Sequence, residues 1–268
     1  MKLCRRFNES DIPALCALWQ EAFGDKPGYI ASFFKITSET GFADCVVLEY
    51  EGSVSAMACI INGLSIVSGP GGEKKCAYIY AVAVKAGMRG RGFGAEISRF
   101  AYETAKADGA EIVATLPADE GLYEFYGKIC GMKNVICRSR LEITAARSED
   151  GIQPVSAEEY NSLRETYLVS SPHLKLSAGA AMLLESLCCE YGGGLYKSHG
   201  GIFCAQRDGD VLIISEIISP DCGKTASAAA CLLGCSSAVY YAPSPAGEKF
   251  ILSDVPVDPG TFYGVAYE

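Results

Sequence analysis

The sequence predicts a mixed α/β fold, in which a largely antiparallel sheet is flanked by helices and both halves of the chain show a similar order of elements. Residues 45–50 and 54–61 are β-rich runs across a short turn, which is typical of a hairpin. Residues 77–84 are apolar throughout, which favours a strand covered on both faces. Residues 201–206 and 211–218 form a second hairpin pattern around an Asp-Gly turn.

The first half contains further elements around its hairpin. A strand is expected at residues 3–7 and an amphipathic helix at 11–23, with Ser10 or Asp11 as its N-cap and Gly24 at its end. After residues 77–84 come a glycine-rich turn and a helix that runs to about residue 107. A strand at 111–116, a short helix from 121 and a final strand complete this half.

The second half repeats this order in a shortened form. Residues 156–167 begin with a pattern that resembles a capping box and predict a helix. The second hairpin is followed by an alanine-rich helix at 225–233 and a strand at 238–241, and residues 262–267 close the chain. The fold class is therefore α/β, with a duplicated arrangement of elements.

Charge is unevenly distributed along the 268 residues, whose formal net charge is −9. Residues 1–147 carry 17 basic and 17 acidic side chains, whereas residues 148–268 carry 6 basic and 15 acidic ones. The polar stretch 147–151 marks this step and predicts a linker between domains at 1–146 and 151–268. The acidic second half lacks the basic face that duplex binding requires, which excludes nucleic acid as a partner.

The cysteines and the apolar runs limit the class of protein further. Thirteen cysteines lie mostly in apolar runs without a Cys-x-x-Cys pair, and only two histidines are present, so we expect buried reduced thiols in a cytoplasmic protein and no metal site. No run approaches the roughly 20 apolar residues of a membrane span. The N-terminus turns polar before a signal-peptide core could form. A homodimer is compatible with the sequence.

The glycine-rich turn after residues 77–84 reads Arg89-Gly90-Arg91-Gly92-Phe93-Gly94-Ala95. Where a strand leads into a helix, backbone N–H groups and the positive end of the helix dipole can bind a pyrophosphate. The spacing differs from Gly-x-Gly-x-x-Gly, and the Gly-Lys-Ser/Thr end of a P-loop is absent, so neither of those sites is predicted. A second glycine cluster, residues 68–73, lies between strands without a following helix and is expected to be an ordinary loop.

At this turn the chain resembles the GNAT superfamily of N-acetyltransferases. Residues 89–94 match the family's Arg/Gln-x-x-Gly-x-Gly/Ala acyl-CoA signature, and residues 121–132 are similar to its Phe-Tyr-x-Lys-x-Gly-Phe segment. The order of elements also agrees, and the resemblance covers about residues 1–145. The second segment has one extra residue, Cys130, with Met132 in place of the usual Phe. Pro117-Ala118 stands where the family often has Asn.

The resemblance implies direct transfer of an acetyl group from acetyl-CoA to a primary amine. The pantetheine arm would pair with the strand at Val82 and Val84, and the turn would hold the pyrophosphate. The cofactor-binding residues are then Val82, Val84, Arg89, Gly90, Arg91, Gly92, Gly94 and Ala95. Tyr126 is the implied acid that protonates the departing thiolate, and the extra residue makes Tyr123 the alternative.

Other functional assignments remain open at this point. Glu49 and Glu216 lie on predicted strands and are candidate bases, although solvated strand positions explain them as well. The second half resembles a degenerate GNAT-like module without a CoA site, which could contribute to the acceptor site, and an unrelated α+β domain is the alternative. Its acidity could attract a cationic small-molecule or peptide acceptor. Alternatives to the enzyme are a non-catalytic acyl-CoA-binding module and a transferase with a longer acyl or aminoacyl donor.

Overall fold

A computed structural model describes residues 2–68, 72–147, 151–258 and 260–267. The chain folds into two compact units. Unit 1 comprises Met1–Ile66, Glu73–Val135 and Ile251–Val257. Unit 2 comprises Val67–Gly72, Ile136–Phe250 and Asp258–Glu268. Both units are therefore discontinuous in sequence.

Unit 1 is a sheet with helices on both faces. Its helices are α1 (Ile12–Phe23), α2 (Pro27–Thr40), α3 (Phe93–Ala107) and α4 (Glu120–Cys130). Its strands are β1 (Lys2–Arg6), β2 (Ala43–Tyr50), β3 (Ser53–Val67), β4 (Glu73–Val84) and β5 (Ile112–Thr115), with the start of β6 (Asn134–Thr144). Strands β1 to β5 lie side by side in sequence order. The β1–β2 and β2–β3 pairs are antiparallel, and the β4–β5 pair is parallel.

The core of unit 1 lies on both faces of β4. On one face, Ile97 and Ala101 of α3 belong to the same buried cluster as Ala77 and Ile79. On the opposite face, α1 and α2 supply large aromatic side chains, among them Trp19, which is fully buried. Strand β4 is thus covered on both sides, as its continuous apolar sequence predicts.

Unit 2 has its own helices and strands. The helices are α5 (Ala157–Leu168), α6 (Ala178–Glu190) and α7 (Cys222–Leu232). After the remainder of β6, the strands are β7 (Gln153–Pro154), β8 (His173–Leu176), β9 (Gly194–Ser198), β10 (Gly201–Asp208), β11 (Val211–Ile218), β12 (Ser237–Pro243) and β13 (Glu248–Ser253). The order in its sheet is β6-β12-β11-β10-β9-β7, with β11 and β12 parallel. The last three residues of β13 belong to unit 1, where they pair with β5.

The structure confirms the predicted fold class, a mixed α/β fold with a largely antiparallel sheet and flanking helices. Helix α1 ends at Gly24 as predicted, and both predicted hairpins are present. Helices α2 and α6 and strands β7 to β9 and β13 were not predicted. The closing segment 262–267 is no regular strand and makes an isolated bridge at Phe262.

The predicted functional domains, 1–146 and 151–268, stay a prediction. The compact units have other bounds, because unit 1 includes Ile251–Val257 and unit 2 includes Val67–Gly72 and begins its longest segment at Ile136. Residues 148–150 of the predicted linker and residues 69–71 of the predicted loop lie outside the described residues. Among the described residues, no helix combines the length and the apolar character needed to cross a membrane.

Candidate active site

The turn between β4 and α3 carries the predicted anion site. A 3₁₀ turn, Ala86–Met88, follows β4, and Arg89 has extended backbone. Gly90 (φ 74°) and Gly92 (φ 80°) are left-handed, a conformation that glycine adopts without steric cost. The chain can therefore reverse tightly before it enters α3 at Phe93.

The N-terminus of α3 is not capped by a side chain. Its N-cap residue is Gly92, so no N-cap side chain accepts a hydrogen bond from the first amides of the helix. A Cβ added at Gly94 would meet only Val84, at an ordinary contact distance of 3.7 Å from Cγ2, so packing does not require glycine there. Glu96, an acid in the first turn, forms an ion pair with Lys2. The open amides and the helix dipole suit an anion, and the two glycines let it approach closely.

Two arginines border this turn, and both are exposed. Arg89 Nε donates to the carbonyl oxygen of Val84 at 3.1 Å. Arg91 Nη2 donates to the hydroxyl of Tyr50 at 3.2 Å, and its guanidinium lies 4.9 Å from the centroid of that ring. These contacts hold two positive charges beside the turn, where a bound anion would benefit from them.

Strand β4 separates from β5 next to this turn. The parallel pairing runs from Cys76↔Ile112 to Ile79↔Thr115, after which β5 ends and β4 continues to Val84. Ala81 has a φ of 48°, which is uncommon for a residue with a side chain and marks an irregularity in the strand. Beyond the last pair, the edge of β4 that faced β5 offers its backbone groups to a ligand.

The irregularity at Ala81 changes which β4 residues face α3. Ala77 and Ile79 contribute to the α3 core before it, and Val82 and Val84 pack against the same core after it. Both valines are half-buried. The structure therefore brings the predicted Val82 and Val84 to the separated part of β4, between the glycine turn and the end of β5.

Tyr126 of α4 lies at the point where β4 and β5 separate. Its side chain is 5% exposed, and burial raises the pKa of Tyr126 to about 12, although the hydroxyls of Ser98 and Thr115 beside it oppose that rise. The Thr115 hydroxyl also donates to the carbonyl oxygen of Ile79 at 3.0 Å, in the last β4–β5 pair. The phenol is thus a protonated donor at neutral pH, next to the opening. Tyr123 is half-buried on the same helix.

The two candidate bases have different surroundings. Glu49 is half-buried and accepts from Arg5, with 3.2 Å between Nη2 and Oε2. Glu216 is not the solvated strand residue that the sequence suggested: it is 1% exposed inside unit 2, where it accepts from Arg164 and, at 2.9 Å, from the Tyr160 hydroxyl. The charge of this carboxylate is thus already balanced by the guanidinium of Arg164.

Sequence reasoning missed an aromatic cluster on the face of β4 opposite α3. Tyr80, the residue before Ala81, lies 5.4 Å from Trp19 between ring centroids, and its hydroxyl is 2.9 Å from that of Tyr29. Trp19 Nε1 donates to Asp25 Oδ2 at 2.8 Å. The signal for this cluster was the aromatic content of α2, a helix that the sequence analysis did not identify.

Unit 2 contains a counterpart of the strand, turn and helix. Strand β11 pairs in parallel with β12 from Val211↔Ser237 to Ile214↔Tyr240 and then extends beyond this pairing to Ile218, and α7 connects the two strands. The N-cap of α7, however, is Asp221, whose Oδ1 accepts from the amide of Lys224 at 2.9 Å. A carboxylate therefore occupies the position where an anion would bind.

The opening between β11 and β12 is also largely filled. A small cavity remains there, lined by Glu216 of β11, Tyr241 of β12 and the C-terminal residues Phe262, Tyr263 and Gly264. A Cβ added at Gly264 would clash with Glu216 Oε2, so the C-terminal segment passes directly against that carboxylate. Unit 2 thus covers with its own chain the space that unit 1 leaves open.

Comparisons with known proteins agree with this geometry. Residues 4–129 match the model of the acetyltransferase (GNAT) domain family. A GCN5-related N-acetyltransferase from Kribbella flavida is similar in fold, with a TM-score of 0.67 and 18% identity over 94% of this chain and 71% of that one. A search of curated proteins gave no match.

Two further solved structures share the fold at low identity. A conserved protein from Enterococcus faecalis has a TM-score of 0.69 and 13% identity over 94% of this chain and 72% of that one. A protein from Pyrococcus horikoshii has a TM-score of 0.65 and 15% identity over 99% of this chain and 93% of that one. The similarity therefore extends over both units.

Proposed function

Because residues 4–129 match the model of the acetyltransferase (GNAT) domain family, we propose that this chain transfers an acetyl group from acetyl-CoA to a primary amine of a small molecule or peptide. The observation that carries the proposal is the open N-terminus of α3 at Gly92, next to the separation of β4 from β5. Tyr126 lies at the inner end of the same opening. An anion site, a free strand edge and a proton donor thus follow one another along β4.

Main-chain groups would hold the cosubstrate. The amides of residues 90–95 suit its pyrophosphate, with Arg89 and Arg91 beside them, and the edge of β4 at Val82 and Val84 suits the amides of its pantetheine arm. From Val84 back to Tyr80, β4 covers about 13 Å at a rise of about 3.3 Å per residue. The thioester would accordingly lie near Tyr80 and Tyr126.

The bound acetyl-CoA supplies an activated acyl group whose leaving group is a thiolate. The amine nitrogen forms the new C–N bond, the C–S bond breaks, and the amine loses one proton to water or a base. The Tyr126 phenol gives its proton to the thiolate sulfur and is reprotonated from solvent. A β4 amide near Ala81 can stabilise the negative charge that develops on the carbonyl oxygen. Holding the amine and the thioester together supplies much of the remaining acceleration.

The wider setting of the protein follows from the same proposal. Positions 148–268 contain 15 acidic and 6 basic residues, and this negative charge would raise the local concentration of a cationic acceptor. All thirteen cysteines are free, which fits a reducing cytoplasmic compartment. A homodimer would be compatible with this activity.

The test combines a binding measurement with a chemical one. Acetyl-CoA should raise the melting temperature of the protein, and free thiol should then be released when a panel of primary amines is added. Thiol release with at least one amine, above the rate without amine, supports the transferase. Binding without thiol release for any amine would instead support a non-catalytic acyl-CoA-binding module. A larger rise in melting temperature with a longer acyl-CoA than with acetyl-CoA would indicate that the longer acyl-CoA is the donor.

A further inference from the structure

The aromatic cluster beside the opening has one member that reaches the surface. Trp19, Tyr29 and Phe33 are fully buried and Tyr78 is 3% exposed, whereas Tyr80 is only half-buried. Tyr80 occupies the position between the last β4–β5 pair and the irregular Ala81. Its ring therefore borders the place where the thioester would lie under the proposed function.

A negative charge lies close to this ring. Asp25, in the short connection between α1 and α2, is half-buried and accepts from Trp19 Nε1, and the Trp19 ring in turn packs edge-on against Tyr80. Burial raises the pKa of Tyr80 well above its ordinary value, and the Tyr29 hydroxyl and the charge of Asp25 add to this rise. The Asp25 carboxylate and the Tyr80 ring thus contact the same indole, that of Trp19.

A carboxylate beside aromatic rings is a chemical environment that favours organic cations. The face of an aromatic ring attracts a positive charge, and a partly desolvated carboxylate does so more strongly. A neutral amine attacks the thioester, so the reacting nitrogen itself carries no positive charge at that step. A positive group bound by Asp25 would therefore be a second one, on the same acceptor.

We propose that the acceptor is an aliphatic amine with a second positive charge, such as a diamine, and that Asp25 and Tyr80 bind this charge while the other amine reaches the thioester. The proposal rests on the proposed function and assigns its specificity to unit 1. Asp25 and Tyr80 are specificity-determining residues here, and neither takes part in proton transfer.

The experiment measures equilibrium binding of 1,4-diaminobutane and of 1-aminobutane by calorimetry, on the full chain with and without coenzyme A. The diamine should bind the wild-type protein more tightly than the monoamine. Asp25→Asn should weaken diamine binding about 10-fold or more, because a charge-assisted contact is lost. An amide oxygen can still accept from Trp19, so the local fold should persist.

The control is Glu39→Gln, which makes the same charge change at an exposed position of α2, where Glu39 lies 3.9 Å from Lys35. Diamine affinity should not change in this variant. Tyr80→Phe should also retain most of the affinity, and Tyr80→Leu should lose it by about 3- to 10-fold, since only the latter removes the ring. Coenzyme A should stabilise every variant if it is folded.

Equal binding of the two amines, equal binding by Asp25→Asn and the wild-type protein, or no binding of the diamine would each overturn the proposal. None of these results depends on turnover. Failure of the proposed function would appear separately, as the absence of coenzyme A binding or of thiol release.

Discussion

The turn after β4 in unit 1 and the turn after β11 in unit 2 share a frame and differ in chemistry. Each strand pairs in parallel with its partner strand over four residues and then extends beyond that pairing. Helix α3 begins at Gly92 without a side-chain cap, whereas Asp221 caps α7 through the Lys224 amide. A strand, turn and helix in this arrangement therefore do not by themselves make an anion site, because the residue at the helix N-cap decides whether the first amides of the helix are available.

The two openings differ in the same sense. In unit 1 the edge of β4 beyond Ile79 is free of β5, and Tyr126 lies at its inner end. In unit 2 the corresponding space is bordered by Gly264 of the C-terminal segment and by the buried pair of Glu216 with Arg164. We therefore propose that the chemistry takes place in unit 1 and that the buried pair of Glu216 with Arg164 stabilises unit 2.

The largest expected effect tests the chemistry of unit 1. Tyr126→Phe should lower kcat by a factor on the order of 10² to 10⁴, because it removes the proton donor to the thiolate. The affinity for coenzyme A should stay the same, since the phenol lies away from the turn. Tyr123→Phe is the matched control and should retain kcat. If Tyr123→Phe lost its activity and Tyr126→Phe kept the wild-type kcat, Tyr123 would be the proton donor instead of Tyr126.

The pH dependence gives a second view of the same group. Burial raises the pKa of Tyr126 to about 12, so the phenol stays protonated well above neutral pH. The wild-type kcat should not decline between about pH 8 and about pH 10 through loss of this proton. A decline in that range that disappears in Tyr126→Phe would contradict the assigned environment.

A slightly smaller effect tests the structural role of unit 2. Glu216→Gln should lower the free energy of unfolding by about 3–5 kcal/mol, because it removes the buried carboxylate that pairs with the fully buried Arg164. Urea unfolding measures this loss. Glu159→Gln, which breaks an exposed ion pair with Lys197, should cost less than about 1 kcal/mol. Coenzyme A affinity should remain that of the wild type in both variants as long as they fold.

An acidic N-cap residue like that of α7 can be introduced at the start of α3, which tests whether the N-cap accounts for the difference between the two units. Gly92→Asp should weaken coenzyme A binding on the order of 100-fold, because a carboxylate would compete with the pyrophosphate for the α3 amides. Gly92→Asn has the same shape and the same left-handed backbone, without the charge. Calorimetry should show a clearly smaller loss for Gly92→Asn, and equal losses would attribute the effect to backbone strain.

The smallest effect comes from removing the cap of unit 2. Asp221→Ala should lower the free energy of unfolding by about 0.5–2 kcal/mol through loss of the bond to Lys224. It should not create a second coenzyme A site, because the C-terminal segment still borders the opening at Gly264. A stoichiometry that rises from one to two per chain would show that the cap alone had closed unit 2.

Local patterns predicted much of the fold. The hairpins, α1 and the glycine turn follow from residues that are close in sequence, such as Gly24 at the end of α1 and Gly92 at the start of α3. Helix α2 was missed because Pro27 and Gly28 signal a turn, whereas Pro27 in fact occupies the first helical turn, where a missing N–H costs nothing. Strand β13 was missed because its place beside β5 is set by pairing with residues over a hundred positions away.

The candidate site was only partly predictable for a similar reason. The turn and Tyr126 have motifs in the sequence, and the structure places them along one opening. The irregular backbone at Ala81, which changes the face of β4 on which Val82 and Val84 lie, has no signature in the sequence. The burial of Glu216 on β11 is equally a tertiary effect, because its partners Arg164 and Tyr160 come from α5, about fifty residues earlier in the chain.

A crystal structure of the chain with coenzyme A would show whether the amides at the start of α3 bind the pyrophosphate. We expect one molecule per chain, its pyrophosphate within hydrogen-bond distance of the main-chain amides of residues 90–95, and its thiol near Tyr126. A pyrophosphate bound at the start of α7, or a coenzyme A molecule that leaves the amides of residues 90–95 untouched, would contradict this expectation.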